Sequence, residues 1–131
     1  MAAPDATIDL APRGAYGVDA PYVPVGLGAG GLALLAGAAL GGGTGCVVAG
    51  VWMLASAASY LYTTRAGKLA VWAKVLRGLE LRGDERVLDL GCGRGAVLLM
   101  IAKLLPRGRA VGVDLWSTTD QSGNAEAVTR R

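Results

Sequence analysis

The sequence predicts an α/β fold, the opening of a parallel sheet with two strands present, preceded by a hairpin of two transmembrane helices. Three observations carry that prediction. No Asp, Glu, Lys or Arg occurs from Ala20 to Thr64, a run of 45 residues. A short apolar strand, Arg86–Leu90, runs straight into the glycine loop GCGRG. One helix later a valine-rich strand, Ala110–Asp114, ends on an acid, and strand–helix–strand in that order is the unit of a parallel sheet.

Residues 1–22 form an N-terminal arm, expected to be loosely ordered, whose charges through residue 19 are Asp5, Asp9, Asp19 and Arg13. Residues 23–64 hold two candidate spans, about 25–41 and 45–62, with the turn GGGTG (41–45) between them. Each approaches the ~20 residues that cross a hydrocarbon layer of ~30 Å. Tyr22, Tyr60 and Tyr62 stand at the ends, where amphipathic rings favour the headgroup zone, while Trp52 lies mid-span. Gly26/Gly30, Ala33/Gly37 and Gly37/Gly41 recur at a spacing of four, which lets helix backbones approach within a chain or between chains of an oligomer. The competing reading is a buried helical pair in a soluble protein, which must place 45 uncharged residues on a small fold. A cleaved signal peptide is excluded despite ASAAS at 55–59, because the preceding region is acidic and too long. Arg65, Lys68, Lys74, Arg77 and Arg82 follow the second span and favour the cytoplasmic side of a plasma (inner) membrane for everything after it.

From residue 65 to 131 the pattern changes. Leu69, Val71, Trp72, Val75, Leu76 and Leu79 lie on one broad helical face, and the 69/72/76/79 stripe reads as packing. Gly83 precedes the first strand, Ala96–Leu105 is an apolar helix stopped by Pro106, and 117–124 is a polar loop. Asn124 is placed to cap a last helix starting at Ala125.

Composition removes several kinds of chemistry. The chain has no histidine, so a histidine base or metal ligand is excluded. Cys46 and Cys92 form no CxxC pair, so neither a zinc site nor a disulfide framework is expected, and no metal ligands are assigned. From Arg65 onward 12 Lys/Arg stand against 7 Asp/Glu, but they are dispersed and lack interleaved aromatics; no nucleic-acid partner is expected.

The loop admits two ligand classes. Gly91, Gly93 and Ala96, with Asp114 beyond, satisfy the dinucleotide pattern G-x-G-x-x-G/A. Asp89 decides between them. In a dinucleotide site the loop and helix start attract a pyrophosphate, which a carboxylate at the strand mouth would oppose. S-adenosyl-L-methionine has no phosphate; it carries a sulfonium and an ammonium, and a desolvated charge pair at ~4 Å is worth several kcal/mol. Gly95 extends the pattern to G-x-G-x-G and keeps side chains off a bulky ligand.

VLDLGCGRG followed by GVDLW resembles the first two motifs of class I S-adenosylmethionine-dependent methyltransferases, over about residues 67–131. With YGVDAP (16–21), the two apolar segments and DLWSTTDQSGN, the chain is similar to a group of bacterial membrane-anchored methyltransferases. The resemblance implies a Rossmann-like sheet of which this chain supplies the opening two strands, so that 65–131 is an incomplete methyltransferase domain and the chain the front part of an enzyme. It implies S-adenosyl-L-methionine as cofactor. Asp89 would face its methionine end, Gly91, Cys92, Gly93 and Gly95 would form the loop beneath it, and Asp114 would accept hydrogen bonds from the ribose. Leu115 and Trp116 would flank the adenine, though packing on the sheet edge is an equal reading of Trp116. No acceptor-side catalytic residue is identifiable. The methyl acceptor is an unspecified small or lipid-like molecule, the bilayer is the expected partner, and little activity is expected of these residues alone. The alternatives are a small non-catalytic membrane protein whose loop is vestigial or binds a partner and, on the dinucleotide pattern, a fragment of an NAD-dependent oxidoreductase.

Overall fold

A computed structural model describes residues 8–11 and 16–129. The protein is mixed helix and strand, with a two-stranded parallel sheet and one long apolar helical stretch, Tyr22–Gly78. That stretch consists of α1 (Tyr22–Gly37), α2 (Gly43–Tyr62) and α3 (Lys68–Gly78), joined by π-helical turns at Ala38–Gly42 and Thr63–Gly67. It is long and apolar enough to cross a membrane by length and composition.

Gly41 breaks the first junction. Its φ of 103° lies where an L side chain is strained, so the chain turns there at low cost only because the residue is glycine. Beyond it α2 packs along α1. A Cβ on Gly31 would stand 2.9 Å from the Gly50 carbonyl oxygen, and one on Gly50 would stand 2.8 Å from Leu35 Cγ. The close approach therefore belongs to Gly31 and Gly50, with Gly30 against Met53. Gly26, Gly37 and Gly41 face open space, so the four-residue spacing located only one of the contact positions. Large side chains point outward, Trp52 being 74% exposed and Leu40 90%, while the buried residues are Pro24, Gly31, Gly50 and Ala57.

After α3 come β1 (Arg86–Leu90), α4 (Ala96–Leu104), β2 (Arg109–Val113) and a short α5 (Glu126–Thr129). β1 and β2 pair in parallel, from Arg86 with Arg109 to Leu90 with Val113. Parallel neighbours need a crossover, and α4 is that connection, ending before Pro106 because the residue ahead of a proline is driven out of helical geometry. The core lies between α3, α4 and one sheet face, formed by Leu76, Met100, Ile101, Leu104 and Leu105 with Val87 and Ala110 against it. The opposite sheet face presents Leu88, Leu90, Val111 and Val113, all exposed.

Two expectations change here. Leu10 of the N-terminal arm is wholly buried in that core, and Lys103 Nζ donates to the carbonyls of Asp9 and Ala11 at 2.9 Å, so the described parts of the arm are docked rather than loose. The remainder of the arm, residues 1–7 and 12–15, lies outside the described residues. On α3 only Leu76 of the 69/72/76/79 stripe is buried; Trp72 and Leu79 are exposed, because among the described residues α4 and the Leu10 segment pack at Leu76 and leave the flanks of the apolar face uncovered.

Candidate functional site

The end of β1, the glycine loop and the end of β2 form one side of an open cavity of about 720 Å³. The loop is held from below by the neighbouring strand, as the Gly91 and Cys92 amides both donate to the Val113 carbonyl. Gly91, Gly93 and Gly95 all have positive φ, and Gly95 is the left-handed residue from which α4 starts. Its carbonyl accepts the Leu99 amide at 2.9 Å, the first turn of the helix. Of the seven residues predicted for the cofactor, Asp89, Gly91, Cys92, Gly93, Asp114 and Leu115 line this cavity. Gly95 does not; it stands behind the loop, where a Cβ would meet Thr129 Cγ2 at 3.2 Å.

The two predicted carboxylates differ in state. Asp89 sits on the covered side of β1, and its Oδ2 is buried with no hydrogen-bond partner among the described residues. Burial, and then the nearby Asp114 charge, push its carboxyl above the usual aspartate value. Asp114 pays a burial penalty as well, but hydrogen bonds outweigh it and hold the carboxyl below the ordinary value. Its Oδ2 accepts the Gly93 amide at 2.8 Å, and its Oδ1 accepts the Trp116 amide at 2.5 Å and Asn124 Nδ2 at 3.1 Å. Asp114 is thus first a brace between loop and strand end. Lone pairs remain for a ligand, since two carboxylate oxygens offer about four acceptor sites.

Cys92 is a packing residue. Gly112 of β2 has no side chain, and a Cβ there would stand 2.7 Å from both Cys92 Sγ and Leu98 Cδ2. Burial, Asp89 and Asp114 all raise the thiol's pKa, which keeps it protonated and inert. Trp116, with a φ of 51°, turns away from the cavity wall and donates from Nε1 to Thr129 Oγ1 at 3.3 Å. Leu115, 97% exposed, remains at the rim.

Asn124 does not cap α5 through its side chain. It is buried, and its Oδ1, the atom that would accept a helix amide, has no partner among the described residues, because the two bonds its Nδ2 donates to Asp114 Oδ1 and the Ser117 carbonyl hold the side chain toward the strand end.

Sequence reasoning missed the far wall. Asp19, from the YGVDAP segment, forms an isolated antiparallel bridge with Gln121, and its carboxylate accepts Lys68 Nζ at 2.6 Å. Gln121 Oε1 accepts the Arg94 amide at 3.2 Å and occupies the space over Gly93. Trp72 and Lys68 of α3 complete that side. The one signal available was the presence of YGVDAP and DLWSTTDQSGN in the same chain; nothing in either pattern says that they touch. Four carboxylates (Asp19, Asp89, Asp114, Asp120) and two cations (Lys68, Arg94) line the cavity, an environment that favours a cationic ligand.

No protein-family profile, no curated protein and no solved structure matches the chain.

Proposed function

We propose that the chain is the cofactor-binding part of a membrane-anchored S-adenosyl-L-methionine-dependent methyltransferase, with a Rossmann-like sheet opening and a transmembrane hairpin formed by α1 and α2. The observation that carries the cofactor reading is Asp89, which lines the cavity beside the glycine loop and whose Oδ2 is buried with no hydrogen-bond partner among the described residues. A buried carboxylate oxygen without a donor costs free energy until a donor arrives, and a ligand ammonium is the donor that also answers its charge. The acidic surroundings support the same class, and they oppose the pyrophosphate of a dinucleotide.

The residues present fit this cofactor. Asp89 would hold the amino end, the open space above Gly91 would take the chain of the methionine moiety, and Asp114 would offer its remaining lone pairs to the ribose. Leu115 stands at the rim as an apolar contact for the base. When bound, the cofactor supplies an electrophilic methyl group on sulfur. The chain's own contribution is to fix the donor's position and to keep its charges matched, which lowers the entropic part of the barrier.

The membrane reading is supported by the uncharged run, the outward-facing apolar side chains and the basic residues after α2, which favour a cytoplasmic location for the loop. Titration calorimetry on the full chain in lipid nanodiscs tests the cofactor. S-adenosylhomocysteine and S-adenosylmethionine are expected to bind and NADH is not. NADH binding without either of the others would replace the reading with an oxidoreductase one. Extraction of the chain from membranes by alkaline carbonate would remove the anchor.

A further inference from the structure

A second cavity, an apolar recess of about 250 Å³ that is open to the surface along Val25, lies on the other side of the Asp19–Gln121 bridge. Its wall is Val18, Pro21, Pro24, Val25 and Leu61, with Ser122 as its polar member. Pro24 and Val25 belong to the first turn of α1 and Leu61 to the last turn of α2, so the cavity sits where the apolar pair meets the glycine-loop unit. Tyr60 Oη closes the same junction by donating to the Asp19 carbonyl at 2.9 Å.

The two cavities share a wall. Successive residues of an extended segment point to opposite sides. Val18 and Ser122 accordingly line the apolar cavity, and their neighbours Asp19 and Gln121 line the larger one. The bridge is tied on both strands, with the Ser122 amide donating to the Val18 carbonyl at 3.0 Å and the Val18 amide to Ser122 Oγ at 2.8 Å.

We propose that this junction binds an uncharged amphiphile of the bilayer, its apolar tail in the small cavity and its hydrogen-bonding head at the bridge. The inference rests on the membrane and cofactor readings above and names the class of molecule the site takes from the membrane. Two features choose this occupant. The cavity continues the apolar surface of α1 and α2 at the level of Tyr22 and Tyr60, where a bilayer presents both chains and headgroups. Beyond the bridge, carboxylates outnumber cations four to two, which repels an anionic head.

Photolabelling tests it. The full chain in zwitterionic nanodiscs is exposed to two probes with the same diazirine-bearing chain, a long-chain alcohol and the matching carboxylate, and labelled peptides are mapped by mass spectrometry. The alcohol is expected to label 16–21 and 117–124 about tenfold more than the acid, the factor that corresponds to 1.4 kcal/mol. Val25→Trp, which fills the cavity, is expected to abolish that labelling while S-adenosylhomocysteine affinity stays unchanged. If that variant fails to fold, Ser122→Leu fills the space from the loop side and must give the same loss. Equal labelling by both probes, none on 117–124, or labelling indifferent to both variants overturns the proposal. So does a crosslink between two copies at Val25, which would put a second chain in the cavity. Labelling as expected without S-adenosylhomocysteine binding upholds the amphiphile site and discards the cofactor reading alone.

Discussion

The apolar pair α1–α2 and the glycine-loop unit bury opposite kinds of residue. In the pair the closest backbone approach is Gly31 against Gly50, with Leu35 and Leu54 packed over these glycines and Met53 over Gly30, while Val48, Val51 and Trp52 look outward. In the loop unit Leu76, Met100, Ile101 and Leu104 are inside and charged groups edge the cavity. On the proposed membrane reading, the difference follows from the solvent each part meets. Where the surroundings are as apolar as leucine, burying leucine gains nothing and close backbone packing decides the contact. In water, large apolar side chains contribute ~25 cal/mol per Å² removed, and they go inside. One chain holds both arrangements, and the bridge between Asp19 and Gln121, with Lys68 added, is where they are joined.

The largest expected effect breaks the loop unit alone. Gly112→Val would drive a side chain into Cys92 and Leu98, an overpacking cost of about 3 kcal/mol or more. The thermal transition of the loop unit should fall and S-adenosylhomocysteine binding should vanish. An unchanged midpoint would mean that Cys92 moves aside freely and is not the support described above.

Next comes Asp114→Ala, which leaves the Gly93 and Trp116 amides without their side-chain acceptor and removes one of the two acceptors of Asn124 Nδ2. A stability loss of roughly 1–3 kcal/mol is expected. S-adenosylmethionine and S-adenosylhomocysteine should weaken alike, since both carry the ribose. Retained affinity for both would confine Asp114 to bracing.

Gly31→Leu sharpens the comparison from the other side. It should loosen the α1–α2 contact by about 1–2 kcal/mol in a detergent unfolding assay and leave ligand affinity unchanged, with Gly26→Leu silent as the control. Equal effects of the two would show that the close approach is not where Gly31 and Gly50 place it.

The pH dependence separates the two carboxylates. Asp89, with its pKa raised by burial and by Asp114, favours the protonated form in the fold. Its contribution to stability is therefore present below the unfolded value of 3.8 and is lost as pH rises through its higher folded value. A ligand ammonium needs the ionised form, so S-adenosylhomocysteine affinity should rise with pH across that range, and Asp89→Asn should weaken binding and flatten the curve. A pH-independent affinity in the natural chain would remove Asp89 from the ligand. Asp114 runs the other way: its pKa is lowered, and its contribution is lost only as pH falls through the folded value, below 3.8.

The smallest effect is expected at the seam. Lys68→Met removes a partly exposed pair with Asp19 and should cost less than about 1 kcal/mol. A larger loss would mean that the two regions depend on each other more than their separate cores imply.

Local pattern carried much of this. The uncharged run, the two short strands, the apolar helix between them and the αL glycines all follow from hydrophobic period and from residues whose backbone preferences act within a few positions. Six of the seven residues assigned to the cofactor lie on one cavity because a parallel strand–helix–strand unit brings both strand ends to the same edge. What a linear reading could not reach were contacts between segments far apart in the chain. The burial of Leu10, the diversion of Asn124 to Asp114, the bridge from Asp19 to Gln121 and the choice of Gly31 over Gly26 all depend on which surfaces meet in space. Residue type and spacing determine what each segment is able to form; only the tertiary structure decides which of several equivalent glycines, amides and carboxylates finds a partner, because that choice is made by packing across distances no local pattern encodes.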